Sequence, residues 1–118
     1  MYFVSTITSK QLDKAYQAAL NAIKDIPDAH NRKRDHVFYD TLIKRIEADK
    51  QMRSIANLDG KNVLRLYTDN LGSSRKYADW CRKVEQHKVY SVSATGKTVK
   101  IGHYSAAYRV EDLIFVWR

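Results

Sequence analysis

The sequence predicts an α+β domain in the order β-α-α-β-α-β-β-β, with helices packed on a mainly antiparallel sheet that closes in a C-terminal meander. Three observations carry this prediction. The chain opens on a β-branched and aromatic run, "YFVSTI"; apolar residues then recur at helical spacing through the first half; beyond residue 88 they alternate at the period of a strand.

The first strand is "YFVSTI" itself. Thr8 and Gln11 then form the T-x-x-Q pattern of a capping box, in which each side chain serves the other residue's backbone N–H. Leu12, Ala15, Tyr16, Ala19, Leu20, Ile23 and Ile26 follow at i, i+3, i+4, i+7 spacing, so one helical face is apolar. Pro27 is expected to end this helix, because the residue before a proline is pushed out of the α region. "DAHNRKRD" reads as a polar connection carrying three consecutive cations, Arg32, Lys33 and Arg34. Asp35 is placed to cap a second helix that buries Phe38, Leu42, Ile43 and Ile46.

A looser stretch around Met52 and Ile55 leads to the Asp59-Gly60 turn, and "VLRLYT" follows as the second strand. Ser73 or Ser74 is placed to cap a third helix over 74–86, with Tyr77, Trp80, Cys81 and Val84 as its buried stripe. In "KVYSVSA", Tyr90, Val92 and Ala94 share one face, so Tyr90 is expected in the core. The turn at Thr95-Gly96-Lys97 joins it to "TVKI", with Val99 and Ile101 on one face. Tyr104, Ala106, Tyr108 and Val110 take the other parity, which predicts a bend at Gly102. "LIFVW" is apolar on both faces, as a covered central strand requires.

At 118 residues the chain fits a single compact domain, 1–118, able to bury a core without metal or disulfide staples. One cysteine, Cys81, allows no internal disulfide, and the opening residues lack a basic n-region, so a cytoplasmic setting is expected. No window approaches a membrane span, and no membrane partner is expected.

Charge is the clearest functional signal. Twenty-one Lys and Arg stand against thirteen Asp and Glu, a net +8. Residues 61–118 hold eleven cations against five anions, so most of the excess lies in the C-terminal half. Such a balance favours a polyanionic partner, nucleic acid or an acidic protein surface. Arg75, Lys76, Arg82 and Lys83 on the expected third helix, with Lys88, Lys97, Lys100 and Arg109 from the sheet, form the candidate phosphate-binding face. If Tyr90, Tyr104 or Tyr108 faces outward, it can stack on bases. The leading reading is a small regulatory protein that binds nucleic acid, RNA before DNA. A protein-binding inhibitor of the phage or mobile-element type uses the same electrostatics.

Motifs for other chemistry are missing. His30 with His36, and Cys81 with His87, are six apart, which matches no zinc signature. "ATGKT" lacks the upstream glycine of a phosphate loop and no helix follows it. No metal or cofactor is expected. Metal-independent RNA cleavage needs an acid, a base and a cation at the phosphate; Glu85, His87, His103 and Arg109 are the residues of suitable type. His103 at the Gly102 bend and Arg109 on the adjoining strand would flank one phosphate. The order strand, two helices, antiparallel sheet, with the tail "GHYSAAYRVEDLIFVWR", resembles the RelE-type toxin ribonucleases. That resemblance implies a ribonuclease toxin; it spans about seventeen residues and assigns no site residue.

Overall fold

The computed structural model describes residues 1–28, 31–70, 72, 74, 76, 78–103 and 105–118, with the side chain of Asn31 left aside. Seven strands form one sheet in the order β2-β1-β7-β3-β4-β5-β6, and two α-helices pack on one of its faces. The elements are β1 (Tyr2–Thr8), α1 (Ser9–Ile23), α2 (Asn31–Asp49), β2 (Gln51–Ile55), β3 (Asn62–Asn70), β4 (Trp80–Val92), β5 (Thr98–Ile101), β6 (Tyr108–Arg109) and β7 (Leu113–Trp117). Among the described residues only β1 and β7 pair in parallel, so the α+β class and the mainly antiparallel sheet are as expected. No helix among the described residues is long and apolar enough to cross a membrane.

The capping box forms as the sequence requires. Thr8 Oγ1 accepts from the Gln11 N–H at 3.0 Å, and Gln11 Oε1 accepts from the Thr8 N–H at 3.0 Å. Leu12, Ala15 and Ala19 are buried, and the two alanines let α2 approach closely. Leu20, expected inward, flanks this contact and is 50% exposed. The helix ends at Ile23, earlier than Pro27 would impose, with the Lys24 N–H turning back to the Asn21 carbonyl at 3.5 Å.

α2 begins at Asn31, four residues before the expected cap, so "NRKR" is its first turn and not a loop. Arginine and lysine are good helix formers, and ion pairs reach outward from this turn: Arg32 to Asp79 at 2.7 Å, and Arg34 to Asp28. Leu42, Ile43 and Ile46 are fully buried, as their spacing predicts.

The sheet has a core on each side. Ile7, Leu64 and Ile114 join Leu12, Ala15, Ala19, Leu42 and Ile46 beneath the helices. Val4, Val63, Val89, Val99, Ile101, Leu113 and Phe115 form the other core with Leu58 and Val110, with no α-helical residue among them. β7 contributes to both, since successive side chains point to opposite faces; "LIFVW" is therefore a central strand, held between β1 and β3. The helix-free core is closed by curvature of the sheet. At Gly96, in the β4–β5 turn with φ of +70°, a Cβ would overlap the Tyr2 ring and oblige it to shift, so this turn packs directly against a first-strand side chain.

Several expectations are corrected. Residues 80–92 are the long strand β4, not part of a helix over 74–86. The spacing of Trp80, Cys81 and Val84 fits a helix, but the same stretch pairs with β3 through nine consecutive residues, from Asn62↔Lys88 to Asn70↔Trp80. That ladder satisfies the backbone groups that the two strands turn toward each other. Strand geometry then separates the supposed stripe: Cys81 is buried, whereas Trp80 is 60% exposed. Cys81 packs there as a small hydrophobe, and burial raises its thiol pKa.

Tyr90 is also corrected. The register shifts between Val89↔Ile101 and Ser91↔Lys100, making Tyr90 an extra residue in the strand. Val89 and Val92 can then both face the core, and Tyr90 turns out to 50% exposure. The stretch around Met52, read as irregular, is the edge strand β2, whose exposed Arg53 suits an edge open to solvent. The strand expected from Tyr104 to Val110 is reduced to β6, and the last strand leaves the meander to lie between β1 and β3. The meander itself runs β3-β4-β5-β6. His30, Ser73, Arg75, Tyr77 and Tyr104 lie outside the described residues.

Candidate nucleic-acid interface

The basic residues of the C-terminal half do not form one face. Arg82 Nη2 binds Glu47 Oε1 of α2 at 2.8 Å, and Lys83 Nζ lies 5.2 Å from the Tyr39 ring centre, also on α2. Arg109 pairs with Glu111. Lys97 and Arg109 line a cleft of about 810 Å³ with Phe3, Val4 and Met52, on the side where the sheet curls. Lys76 lies in the connection before β4, and Arg75 is outside the described residues.

Lys88 and Lys100 remain together. Each precedes a buried neighbour, Val89 and Ile101 respectively, so both point to the outer side of the β4–β5 ribbon. Lys88 also lines an open groove of about 680 Å³ with Asp59, Gly60, Gln86, His87, Tyr90, Gly102 and His103. Gly60 is shared with a second groove, of about 420 Å³, lined by Lys61, Asn62, Trp117 and Arg118. The β3–β4 ladder continues into this junction, where the Gly60 N–H bonds the Val89 carbonyl and the Val89 N–H bonds the Lys61 carbonyl, each at 2.9 Å. Among the described residues, Lys61, Lys88, Lys100 and Arg118 have no ion-pair partner. Sequence reasoning singled out Lys88 and Lys100 but passed over Lys61 and Arg118, which stand far apart in the chain and meet in one groove.

The acid–base candidates are placed differently. Glu85 and His87 do come together, with His87 Nε2 2.8 Å from Glu85 Oε2. His103 lines the same groove as His87, whereas Arg109 lies in the cleft with Phe3, so His103 and Arg109 do not flank one site. Two further residues complete the Glu85 cluster. Tyr67 donates its hydroxyl to Glu85 Oε1 at 2.5 Å, and Arg65 Nη1 lies 3.6 Å from Glu85 Oε2. The Arg65 guanidinium sits between the rings of Tyr67 and Tyr108, 4.5 and 4.9 Å from their centres. Tyr108, half-buried against the core, is thereby engaged with Arg65.

The Tyr67 hydrogen bond holds the Glu85 carboxyl below its usual pKa, against the opposing effect of burial, with further help from His87 and Arg65. The same bond pushes the Tyr67 hydroxyl well above its ordinary value, reinforced by burial. Both carboxylate oxygens are thus occupied by donors. His87 lies under the turn at Gly102, where φ is +59° and a Cβ would stand 2.7 Å from His87 Nδ1. This arrangement ties β3 and β4 together beside the end of β5. Among the described residues no group of three or more His, Cys, Asp or Glu is placed to hold a metal ion.

A pH dependence follows. The folded-state pKa of Glu85 is depressed, so its contribution to stability is complete above the unfolded carboxyl value of about 4.3. It is lost as the pH falls through the lower, folded value. In denaturant midpoints measured across the acid range, Glu85→Gln should flatten this part of the loss. An unchanged acid profile would count against the cluster.

No family model, curated protein or solved structure matches the chain. The resemblance to RelE-type toxins accordingly rests on the order of elements and the C-terminal tail alone, and assigns no function to the groove.

Proposed function

We propose that this protein binds nucleic acid along the two grooves that meet at Gly60. The reading rests on one observation: Lys61, Lys88 and Arg118 line these adjoining grooves, Lys100 lies on the same side of the β4–β5 ribbon as Lys88, and none has an ion-pair partner among the described residues. A cation already neutralised by a neighbouring carboxylate must give up that partner to meet a phosphate; these four need not. Their counterpart is a polyanion with regularly spaced charges, which the net +8 of the chain would also draw in from a distance.

Binding of labelled RNA and DNA oligomers should weaken steeply as salt rises. If the four cations each meet a phosphate of a single strand, log K should fall against log salt with a slope of about −3. Absence of binding at low salt, or affinity indifferent to salt, would overturn the reading. In the second case an uncharged contact would have to dominate.

A further inference from the structure

The larger groove has a composition that phosphate binding alone does not call for. Tyr90 is the bulged residue of β4, half exposed beside Lys88, and Asp59, Gln86 and His103 line the same groove. Gly60, bonded to Val89 beside Tyr90, also lines this groove, and a Cβ added at Gly60 would meet nothing within 4 Å. The groove is therefore open at Gly60.

The turn that carries Asp59 is well anchored. Leu58 is fully buried, Asn57 Oδ1 accepts from the Asp59 N–H at 3.0 Å, and the Lys61 N–H returns to the Leu58 carbonyl at 3.3 Å. Gln86 donates its side-chain amide to the Tyr16 hydroxyl at 3.0 Å, leaving its carbonyl oxygen as an acceptor. The groove thus brings an aromatic residue, a carboxylate residue on an anchored turn, an amide held by Tyr16 and a cation into one lining.

A carboxylate would repel the phosphate that Lys88 attracts, so backbone and base must occupy different parts of the groove. We infer that the groove takes an unstacked guanine base of a single-stranded nucleic acid, stacked on Tyr90, with its Watson–Crick edge toward Asp59 and its phosphate on Lys88. Guanine presents N–H donors at N1 and N2 on that edge, whereas adenine presents an acceptor at N1, which a carboxylate disfavours. That edge is available only when the base is unpaired, which selects a single strand over a duplex. This inference rests on the nucleic-acid reading above and adds to it a base and a strandedness.

The test compares three fluorescent probes: a short single-stranded RNA containing guanines, the same strand in a duplex, and a version with adenine in place of each guanine. The first should bind most tightly. Tyr90→Ala should weaken it roughly ten- to a hundredfold, the range for loss of one base–aromatic stack, with little change for the duplex. Tyr90→Phe keeps the ring and should retain the affinity, and Asp59→Asn should erase the preference for guanine over adenine. A duplex bound as tightly as the single strand, a Tyr90→Ala protein equal to the parent, a Tyr90→Phe loss as large as that of Tyr90→Ala, or no guanine preference would each overturn the inference while leaving groove binding intact. Failure to bind any of the three at low salt would remove the nucleic-acid reading itself, and this inference with it.

Discussion

Replacing Phe115 by alanine is expected to lower stability by about 3–5 kcal/mol, the usual range for truncating a buried aromatic. Phe115 is 2% exposed on the central strand, beside Thr6 of β1 and Val63 of β3. It lies in the core that no α-helix covers, where the strands pack with Leu58 and Val110 from the connections between them. A cavity here cannot be relieved by a helix settling inward. Phe3→Ala supplies the contrast: the residue is 68% exposed, and the change should stay within about 0.5 kcal/mol. Urea unfolding of the two variants checks both values, and a cost below about 1 kcal/mol at Phe115 would mean that the helix-free face is not close-packed.

The second large effect concerns binding. Converting Lys61, Lys88, Lys100 and Arg118 together to glutamate should reduce nucleic-acid affinity by on the order of a thousandfold or more at low salt, because four phosphate contacts become four repulsions. Folding should survive, since none of the four holds an ion pair among the described residues. Reversing Arg82 and Arg109 should act differently. These two already face Glu47 and Glu111, so placing glutamate there sets like charges against each other and affects stability more than binding. Fluorescence anisotropy and thermal melting on the same samples separate the outcomes. Comparable losses of affinity from both sets would show that general positive charge, and no particular groove, governs binding.

Local features were legible where one interaction dominates. The capping box at Thr8 and Gln11, the buried face of α2 at Leu42, Ile43 and Ile46, the inward pair Val99 and Ile101, and the doubly covered "LIFVW" all follow from patterns a few residues long. The stretch from Trp80 to Val92 was not legible in this way. Its apolar residues satisfy a helical period, and only pairing with β3, which begins eighteen residues earlier, makes it a strand. Tyr90 illustrates the same limit: parity assigns it to the core, and one extra residue in the ladder turns it out.

The interface divides along the same line. Sequence alone establishes the number of cations, their concentration after residue 60 and the α+β class, because these depend on composition and on short-range periodicity. Which cations remain without a partner is decided in three dimensions. Arg82 is matched by Glu47 from a helix far earlier in the chain, while Lys61, Lys88 and Arg118 line grooves joined at Gly60. Coulomb attraction acts through space and not along the chain, so only the folded arrangement separates the cations already neutralised from those still open to a phosphate.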